Sequence, residues 1–299
     1  MTAVLEARGL GKKYRRRWAL SDCTLSIPAG RVAGLVGPNG AGKTTLLQLA
    51  VGLLQPSAGT IEVLGGRPAS SRAQRGKVSF VAQDAPTYAT LSVADHLRLG
   101  AHLNPSWDAR LAAERIGALG LDPRQKAGKL SGGQQAQLAL TLAIARRPEL
   151  LILDEPVASL DPLARREFLA QLSDTVTEQG LSVVLSSHLV ADLERVCDYL
   201  IVLAASKVQV AGETGQLLGA HLSLTGPRCD PARLPASWQI ISASHSGQQT
   251  TLILRSGAEV RDPAWSAGQP ALEDIVLAYM SRANAGAGTA VAHEPEVAA

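Results

Sequence analysis

The chain has 299 residues, of which 46% are apolar, 18% charged and 3% aromatic, and its formal net charge is +3 at pH 7. This length and apolar content are ordinary for a globular protein organised as one large domain and an extension. The small net charge and the scarcity of aromatic rings exclude a dedicated nucleic-acid-binding protein, which needs a one-sided basic field and rings on which bases stack.

The first part of the chain predicts a pair of antiparallel strands and then the start of an α/β sheet. Residues 4–14 and 18–30 alternate apolar and polar positions and end in turn residues, as antiparallel strands do. Residues 31–37 form a short apolar strand that runs into a glycine-rich turn, and residues 43–54 follow with helical periodicity. Two further strands are predicted at 60–65 and 77–83.

The pattern becomes helical in the next segment and then alternates again. Three helical segments each begin with serine, which favours a serine N-cap, and they cover 92–103, 106–120 and 131–147. A strand, a helix, a strand and a β-hairpin are predicted in that order at 150–156, 161–178, 181–188 and 199–213. Because strands alternate with helices, we expect a mostly parallel sheet with crossover helices.

The composition changes after Gly219. Residues 238–257 predict a two-stranded β piece, and residues 271–280 predict a short amphipathic helix. Residues 281–299 are rich in Ala and Gly and have no apolar face, so we expect a disordered tail. The predicted organisation is a large α/β domain, a helical subdomain within it, a small β-rich extension and a tail, at 1–219, about 92–147, 220–280 and 281–299.

Cysteine usage and hydropathy indicate the setting of the protein. Cys23, Cys197 and Cys229 are far apart and lack metal-ligand spacing, so we expect buried thiols in a reducing cytosol. The first ten residues lack the pattern of a signal peptide, and no apolar run is long enough to span a bilayer. If the protein serves a membrane, we expect another chain to supply the membrane part.

One glycine-rich motif predicts a phosphate site. Residues 37–44 read Gly-Pro-Asn-Gly-Ala-Gly-Lys-Thr and match G-x-x-x-x-G-K-[ST] between a strand and a helix. Its glycines let backbone N–H groups close around β- and γ-phosphates at a positive helix N-terminus. Lys43 adds a positive charge, and the Thr44 hydroxyl is a ligand for Mg²⁺. A glycine-rich turn without a ligand is the alternative, which the strand–turn–helix context disfavours.

Two acidic residues follow a buried-type strand. Asp154 and Glu155 come directly after four apolar residues, at the carboxyl end of a predicted sheet strand, where open α/β sheets bind ligands. Asp154 suits a water-mediated contact to Mg²⁺, and Glu155 can polarise an attacking water as a general base. By itself such a pair is more often a solvated strand end, but a phosphate loop in the same chain reverses that balance.

A second glycine-rich motif raises a question, because one chain then has two phosphate-binding patterns. Ser131, Gly132, Gly133 and Gln134 combine a hydroxyl, exposed N–H groups and a helix N-terminus, which suit anionic oxygens. No Lys-[ST] follows, so the motif is not an independent nucleotide site. The structural alternative is a helix N-cap followed by flexible glycines.

The motifs at 37–45, 130–134 and 151–156 occur in the order and spacing of ABC-transporter ATPase subunits, which the chain resembles over about residues 4–215. The resemblance implies an α/β P-loop NTPase core with a mostly parallel sheet, an antiparallel β subdomain and an α-helical signature subdomain, to which the small β-rich C-terminal extension is added. Gln83 is similar to the Q-loop glutamine, Asp161 to the D-loop aspartate, His188 to the switch histidine and Tyr14 to the aromatic residue that stacks on adenine.

The resemblance also implies a role for each motif residue. Catalysis is assigned to Glu155, His188 and Gln83, and Mg²⁺ binding to Thr44, Gln83 and Asp154. ATP binding is assigned to Tyr14, Gly37, Pro38, Asn39, Gly40, Ala41, Gly42, Lys43, Thr44, Thr45, Ser131, Gly132, Gly133, Gln134 and Asp161.

In this family the 131–134 motif caps the γ-phosphate held by a facing subunit, which explains why one chain has two phosphate-binding patterns. The resemblance therefore implies a head-to-tail dimer, with itself or with a paralogous ATPase subunit, around two ATP molecules. A groove near Gln83 would receive a helix from an integral membrane permease. The departure from the family after this motif, at Gln135, Ala136 and Gln137, puts a local salt-bridge pattern in doubt but not the phosphate contacts.

The helix after Gln83 and the ending at 271–280 resemble the exporter-type branch, in which the ATPase and the membrane domains are separate chains. The predicted function is ATP hydrolysis that drives export through a separate permease. The predicted location is cytoplasmic, peripheral on the inner face of the plasma membrane through that permease, with no nucleic-acid partner. The alternative is a soluble ABC ATPase that transports nothing and acts as an assembly or regulatory factor.

Overall fold

The computed structural model describes residues 2–83, 87–230, 234–235, 238–255 and 262–291, with side chains described as far as Ala285. A six-stranded sheet forms the centre of the fold, in the order β5-β6-β7-β3-β8-β9. Neighbouring strands from β5 to β8 are parallel, and β9 is antiparallel to β8. The mostly parallel sheet and the terminal hairpin are therefore confirmed. The strands are β3 (Val32–Val36), β5 (Val78–Val81), β6 (Leu150–Leu153), β7 (Ser182–Ser187), β8 (Tyr199–Ala204) and β9 (Lys207–Glu213).

The side chains of the central strands are buried on both faces of this sheet. In β6, Leu150 and Ile152 belong to one hydrophobic core, whereas Leu151 and Leu153 belong to another. This separation follows from the two-residue period of a strand, which sends successive side chains to opposite faces. It also explains why β6 is a continuous apolar run, as parallel strands covered on both faces are.

A three-stranded antiparallel sheet, in the order β2-β1-β4, packs over one of these cores. Its strands are β1 (Ala3–Tyr14), β2 (Arg17–Pro28) and β4 (Ala58–Val63). The predicted antiparallel pair at the start of the chain is therefore confirmed. The β1–β2 hairpin ends with Tyr14 opposite Arg17.

The helices follow the predicted order, with three short additions at α2, α7 and α8. They are α1 (Lys43–Ala50), α2 (Arg72–Gly76), α3 (Val93–Leu103), α4 (Ala109–Ala118), α5 (Gly132–Ile144), α6 (Pro162–Gln179), α7 (Val190–Glu194), α8 (Thr214–Gly219) and α9 (Leu272–Val291), with a 3₁₀ turn at Ala127–Lys129. None of the helices in the described part of the chain combines the length and the hydrophobicity needed to cross a bilayer.

Two of the three predicted serine N-caps are confirmed, and one is wrong. Ser92 and Ser131 each form a capping box at the start of α3 and α5. The N-cap of α4 is Asp108 rather than Ser106. The Asp108 carboxylate accepts a hydrogen bond from the Leu111 N–H at 2.8 Å and is also paired with Arg147 at 2.7 Å, so it satisfies the helix end and a cation together.

The C-terminal part forms a four-stranded antiparallel sheet in the order β11-β12-β10-β13. The predicted two-stranded piece is the β11–β12 hairpin. The structure adds two strands, β10 and β13, which were not predicted because the flanking segments are rich in Pro and Gly. The strands are β10 (His221–Pro227), β11 (Gln239–Ser246), β12 (Gln249–Arg255) and β13 (Ser266–Gly268).

Helix α9 corrects the prediction of a disordered tail. The helix continues to Val291, through the first part of the 281–299 segment, and residues 292–299 lie outside the described part of the chain. Alanine has the highest helix propensity, and extending a docked helix costs less than starting one, so this Ala-rich segment continues the helix.

The C-terminal sheet and α9 share the hydrophobic core of the central sheet. Ile253 and Ile275 belong to the same cluster as Leu185 and Leu193. A shared core does not test the domain boundary predicted between residues 219 and 220, which stays a prediction. Cys23 and Cys197 are buried free thiols as expected, whereas Cys229 is half-buried.

Candidate functional site

The loops that follow β3, β6 and β7 line one open cavity of about 660 Å³. They converge because the carboxyl ends of parallel strands meet at the same edge of the sheet. The cavity brings together ten of the predicted site residues, namely Tyr14, Asn39, Gly40, Gly42, Lys43, Thr44, Thr45, Gln83, Glu155 and His188. Arg17, Ala19 and Ala158 also line it.

The loop between β3 and α1 depends on glycine at two positions for steric reasons. A Cβ atom at Gly37 would lie 2.1 Å from the Leu203 carbonyl oxygen. Gly42 has φ of +109°, and a Cβ atom there would lie 2.4 Å from the Ala19 carbonyl oxygen. Gly42 is also the N-cap of α1, and no side chain caps this helix, so N–H groups of its first turn are free to bind an anion.

Lys43 is buried at the centre of this loop, with only 6% of its surface exposed. Its Nζ donates a hydrogen bond to the Gly37 carbonyl oxygen at 2.8 Å and lies 3.1 Å from Oε1 of Glu155. The loop therefore holds a desolvated positive charge next to the helix N-terminus. Such a charge needs an anionic partner, which Glu155 provides here.

Glu155 connects Lys43 to His188. Its second oxygen, Oε2, lies 2.9 Å from Nδ1 of His188. Burial acts to raise the pKa of Glu155, but the hydrogen bonds from His188 and Lys43 outweigh it, so that the pKa is lowered from its usual 4.5. Glu155 is therefore an ionised carboxylate at neutral pH. Its backbone has φ of +45°, a strained conformation that is often found at functional sites.

Asp154 lies behind the cavity, 1% exposed, and does not line it. Its Oδ1 accepts a hydrogen bond from the Ser186 hydroxyl at 2.7 Å, and Ser186 Oγ accepts one from the Glu155 N–H at 2.8 Å. Ser186 thus ties both acidic residues that follow β6 to the neighbouring strand β7. The sequence reasoning missed Ser186 and Arg17, although a serine inside the apolar run of β7 was a visible signal for the first.

The 131–134 motif lies outside this cavity. Ser131 is exposed, its Oγ accepts a hydrogen bond from the Gln134 N–H at 3.3 Å, and its own N–H donates to Gln134 Oε1 at 3.0 Å. Asp161 is exposed too and caps α6 by accepting from the Leu163 and Ala164 N–H groups. The motif and the start of α6 are neighbours, since a Cβ atom added at Gly133 would lie 2.9 Å from Cβ of Ala164.

Comparison with known proteins gives the family. A family model described as ABC transporter matches residues 20–158. An uncharacterised ABC transporter ATP-binding protein of Bacillus subtilis, YxlF, is 32% identical over 72% of each chain. This chain belongs to the ABC transporter ATP-binding protein family. The antiparallel β subdomain, the helical segment and the P-loop NTPase core are accordingly those of an ABC cassette.

Other relatives of this ABC cassette are ATP-binding proteins named for import and for export. The thiamine import ATP-binding protein ThiQ of Salmonella typhimurium is 34% identical over 67% of this chain and 87% of the relative. The Nod factor export ATP-binding protein I of Cupriavidus metallidurans is 34% identical over 74% of this chain and 75% of the relative.

Solved structures of ABC transporter ATP-binding subunits are similar to this chain as well. The ATP-binding subunit of an ABC transporter superposes with a TM-score of 0.65 and 28% identity, covering 72% of this chain and 91% of that chain. A dimeric bacterial ABC transporter cassette, MJ0796, shares the fold with a TM-score of 0.62 and 23% identity, covering 70% of this chain and 98% of that chain.

Proposed function

We propose that this chain binds and hydrolyses Mg²⁺-ATP as the ATPase subunit of an exporter-type ABC transporter. The observation that carries the proposal is the Glu155 carboxylate, which bridges Lys43 and His188 inside one cavity lined by the phosphate loop. A phosphate cradle, an ionised base and a histidine are then within reach of one bound triphosphate.

Each group has a distinct role in this proposal. Tyr14, 46% exposed at the mouth of the cavity, offers a ring on which adenine stacks. The N–H groups at the start of α1 and the Lys43 ammonium hold the β- and γ-phosphates. Glu155 polarises the attacking water, and His188 and Gln83, which line the same cavity, contact the γ-phosphate side.

Oxygen donors for Mg²⁺ are present at this position. Thr44 and Gln83 line the cavity and supply a hydroxyl and an amide oxygen, which are ligand types that Mg²⁺ prefers. Asp154 is buried behind them and already accepts a hydrogen bond from Ser186, so it would act through water. Mg²⁺ typically binds through one or two carboxylates together with substrate phosphates and waters, and it would neutralise the charge that develops on those phosphates.

The other half of each site would come from a facing subunit, itself or a paralogue. Ser131 to Gln134 are largely exposed and lie away from the cavity of their own chain, so they are free to meet a nucleotide held by another chain. Head-to-tail contact between two copies would place this helix N-terminus on the γ-phosphate. The dimeric structure of MJ0796 is compatible with this arrangement.

Coupling to a membrane permease would use an apolar cavity of about 200 Å³ beyond Gln83. Tyr88, Leu99 and Leu103 line it and are exposed, by 62%, 37% and 67% of their surfaces. Exposed apolar patches of this kind mark interaction sites. The chain would then be held at the inner face of the plasma membrane by that permease. Because the relatives include proteins named for import and for export, export rests on the resemblance of the helix after Gln83 and of residues 271–280 to the exporter-type branch.

The test is to purify the tagged chain from detergent extracts and to measure both ATP hydrolysis and the proteins that accompany it. The proposal predicts Mg²⁺-dependent hydrolysis and a co-purified polytopic membrane protein. Inverted vesicles that contain both chains should then accumulate a solute from cell extract when ATP is added, and Glu155→Gln should abolish the accumulation. Accumulation only in right-side-out vesicles loaded with ATP would indicate import, and hydrolysis without a membrane partner would favour a soluble ABC ATPase.

A further inference from the structure

The two chain segments that provide Glu155 and His188 meet a second time, away from the cavity. The first contact is the 2.9 Å pair between Glu155 Oε2 and His188 Nδ1. The second joins Arg165, in the first turn of α6, to Asp192 in α7, with 3.7 Å between Nη1 and Oδ2. Asp192 follows His188 by four residues, so the two contacts lie at the two ends of the turn that begins α7.

The ion pair between Arg165 and Asp192 is incomplete. At 3.7 Å it is within the range of an ion pair but too long for a hydrogen bond. Arg165 Nη2 donates only a long bond, 3.4 Å, to the Leu160 carbonyl oxygen. Arg165 Nε and Asp192 Oδ2 are buried and have no hydrogen-bond partner in the part of the chain that the structure describes. Because buried unpaired atoms of charged groups cost free energy, a movement of less than 1 Å that closed the pair would be favourable.

Helix α7 has few interactions of its own that fix its position. It is five residues long, and its N-cap, Leu189, offers no side-chain hydrogen bond. So short a helix is not stable alone and depends on its tertiary contacts. Asp192 is buried, and its partner Arg165 contacts the Leu160 carbonyl next to Asp161, the N-cap of α6.

We propose that Arg165 and Asp192 are positioning residues for ATP hydrolysis. Their ion pair holds α7, and with it His188, against the segment that runs from Glu155 to Asp161, and it closes to hydrogen-bonding distance in the hydrolysing state. Neither side chain lines the nucleotide cavity, so the pair acts on His188 and Glu155 and not on the nucleotide. The inference rests on the proposed function of Glu155 and His188.

The experiment measures kcat and the KM for ATP of the full-length chain. Asp192→Asn and Arg165→Met should each lower kcat by about 10- to 100-fold, as loss of an orienting partner does, and leave KM within about threefold. Asp192→Glu keeps the charge and adds one methylene, which spans part of the 3.7 Å gap, and should keep kcat within about threefold of the wild type. Matched controls are Arg166→Met and Glu194→Gln, exposed neighbours on the same helices, which should leave both constants unchanged.

A double variant distinguishes loss of the ion pair from loss of folding. Arg165→Met with Asp192→Leu replaces the pair by apolar groups, a change that proteins often tolerate, so it should stay folded by thermal unfolding and still lose the same share of kcat. Hydrolysis by the wild-type chain tests the proposed function. If the wild type hydrolyses ATP and Asp192→Asn or the double variant has a normal kcat, the proposed function stands while the positioning role of the ion pair is overturned. A rise in KM that matches the loss of kcat, or failure of Asp192→Glu to preserve kcat, overturns it as well.

Discussion

Replacing Glu155 by glutamine removes the negative charge from the centre of the site while keeping its shape. The carboxylate lies 3.1 Å from Lys43 Nζ and 2.9 Å from His188 Nδ1. Loss of a general base lowers the rate by about 10²- to 10⁴-fold, which raises the barrier by about 3–5 kcal/mol. The attraction between Lys43 and Glu155 is on the order of 5 kcal/mol at an effective dielectric constant of about 20, before desolvation is subtracted. Because that attraction competes with the phosphates for Lys43, we expect ATP affinity to stay equal or to rise.

The assay combines phosphate release, nucleotide titration and gel filtration. Glu155→Gln should bind ATP, release phosphate at least about 100-fold more slowly and elute as a dimer with ATP. In the nucleotide-free chain the pKa of Glu155 lies below its usual 4.5, so the ratio of wild-type to variant kcat/KM should stay constant above that pH and shrink only below it, where the carboxylate is protonated. Glu149→Gln, on an exposed carboxylate paired with Lys77, is the matched control. A variant rate within tenfold of the wild type would refute the base role.

Three further changes probe the site and the fold. Lys43→Ala should abolish ATP binding in equilibrium titration, because a buried cation of the cradle is lost, and unchanged affinity would contradict the cradle. Gly37→Ala places a Cβ 2.1 Å from a carbonyl oxygen and should lower the melting temperature by several degrees and impair binding, whereas Gly76→Ala, in open space, should do neither. Removal of residues 220–299 should give insoluble protein in an expression test, since the lost core residues each contribute about 1.5–3 kcal/mol, while a chain that ends at residue 291 should remain soluble.

Much of the fold could be predicted because its signals are local. The continuous apolar runs of β6 and β7 indicated buried parallel strands, and the glycine pattern from Gly37 to Lys43 indicated a strand–turn–helix phosphate loop. Parallel strands then carry Lys43, Glu155 and His188 to one edge of the sheet, as the structure has them. The family resemblance, confirmed by the comparisons, added Tyr14 and Gln83, whose local sequence does not mark them.

The remaining features depend on contacts between distant segments. The choice of Asp108 as the N-cap of α4 reflects its pairing with Arg147, which local sequence does not show. The helix beyond residue 280 follows from the docking of α9 onto the core. The added strand β10 forms by pairing with β12, which lies more than twenty residues away in the sequence. The contact of Arg165 with Asp192 has the same long-range origin.

The proposed mechanism requires that two chains share each ATP site. The direct measurement is a structure of the Glu155→Gln variant with Mg²⁺-ATP, in which the distance from Ser131 Oγ to the nearest γ-phosphate is read. A shared site requires a hydrogen bond of about 3 Å from Ser131 Oγ to the nucleotide held by Lys43 of the other chain. A closed dimer in which residues 131–134 face solvent, or contact the nucleotide of their own chain, would contradict it.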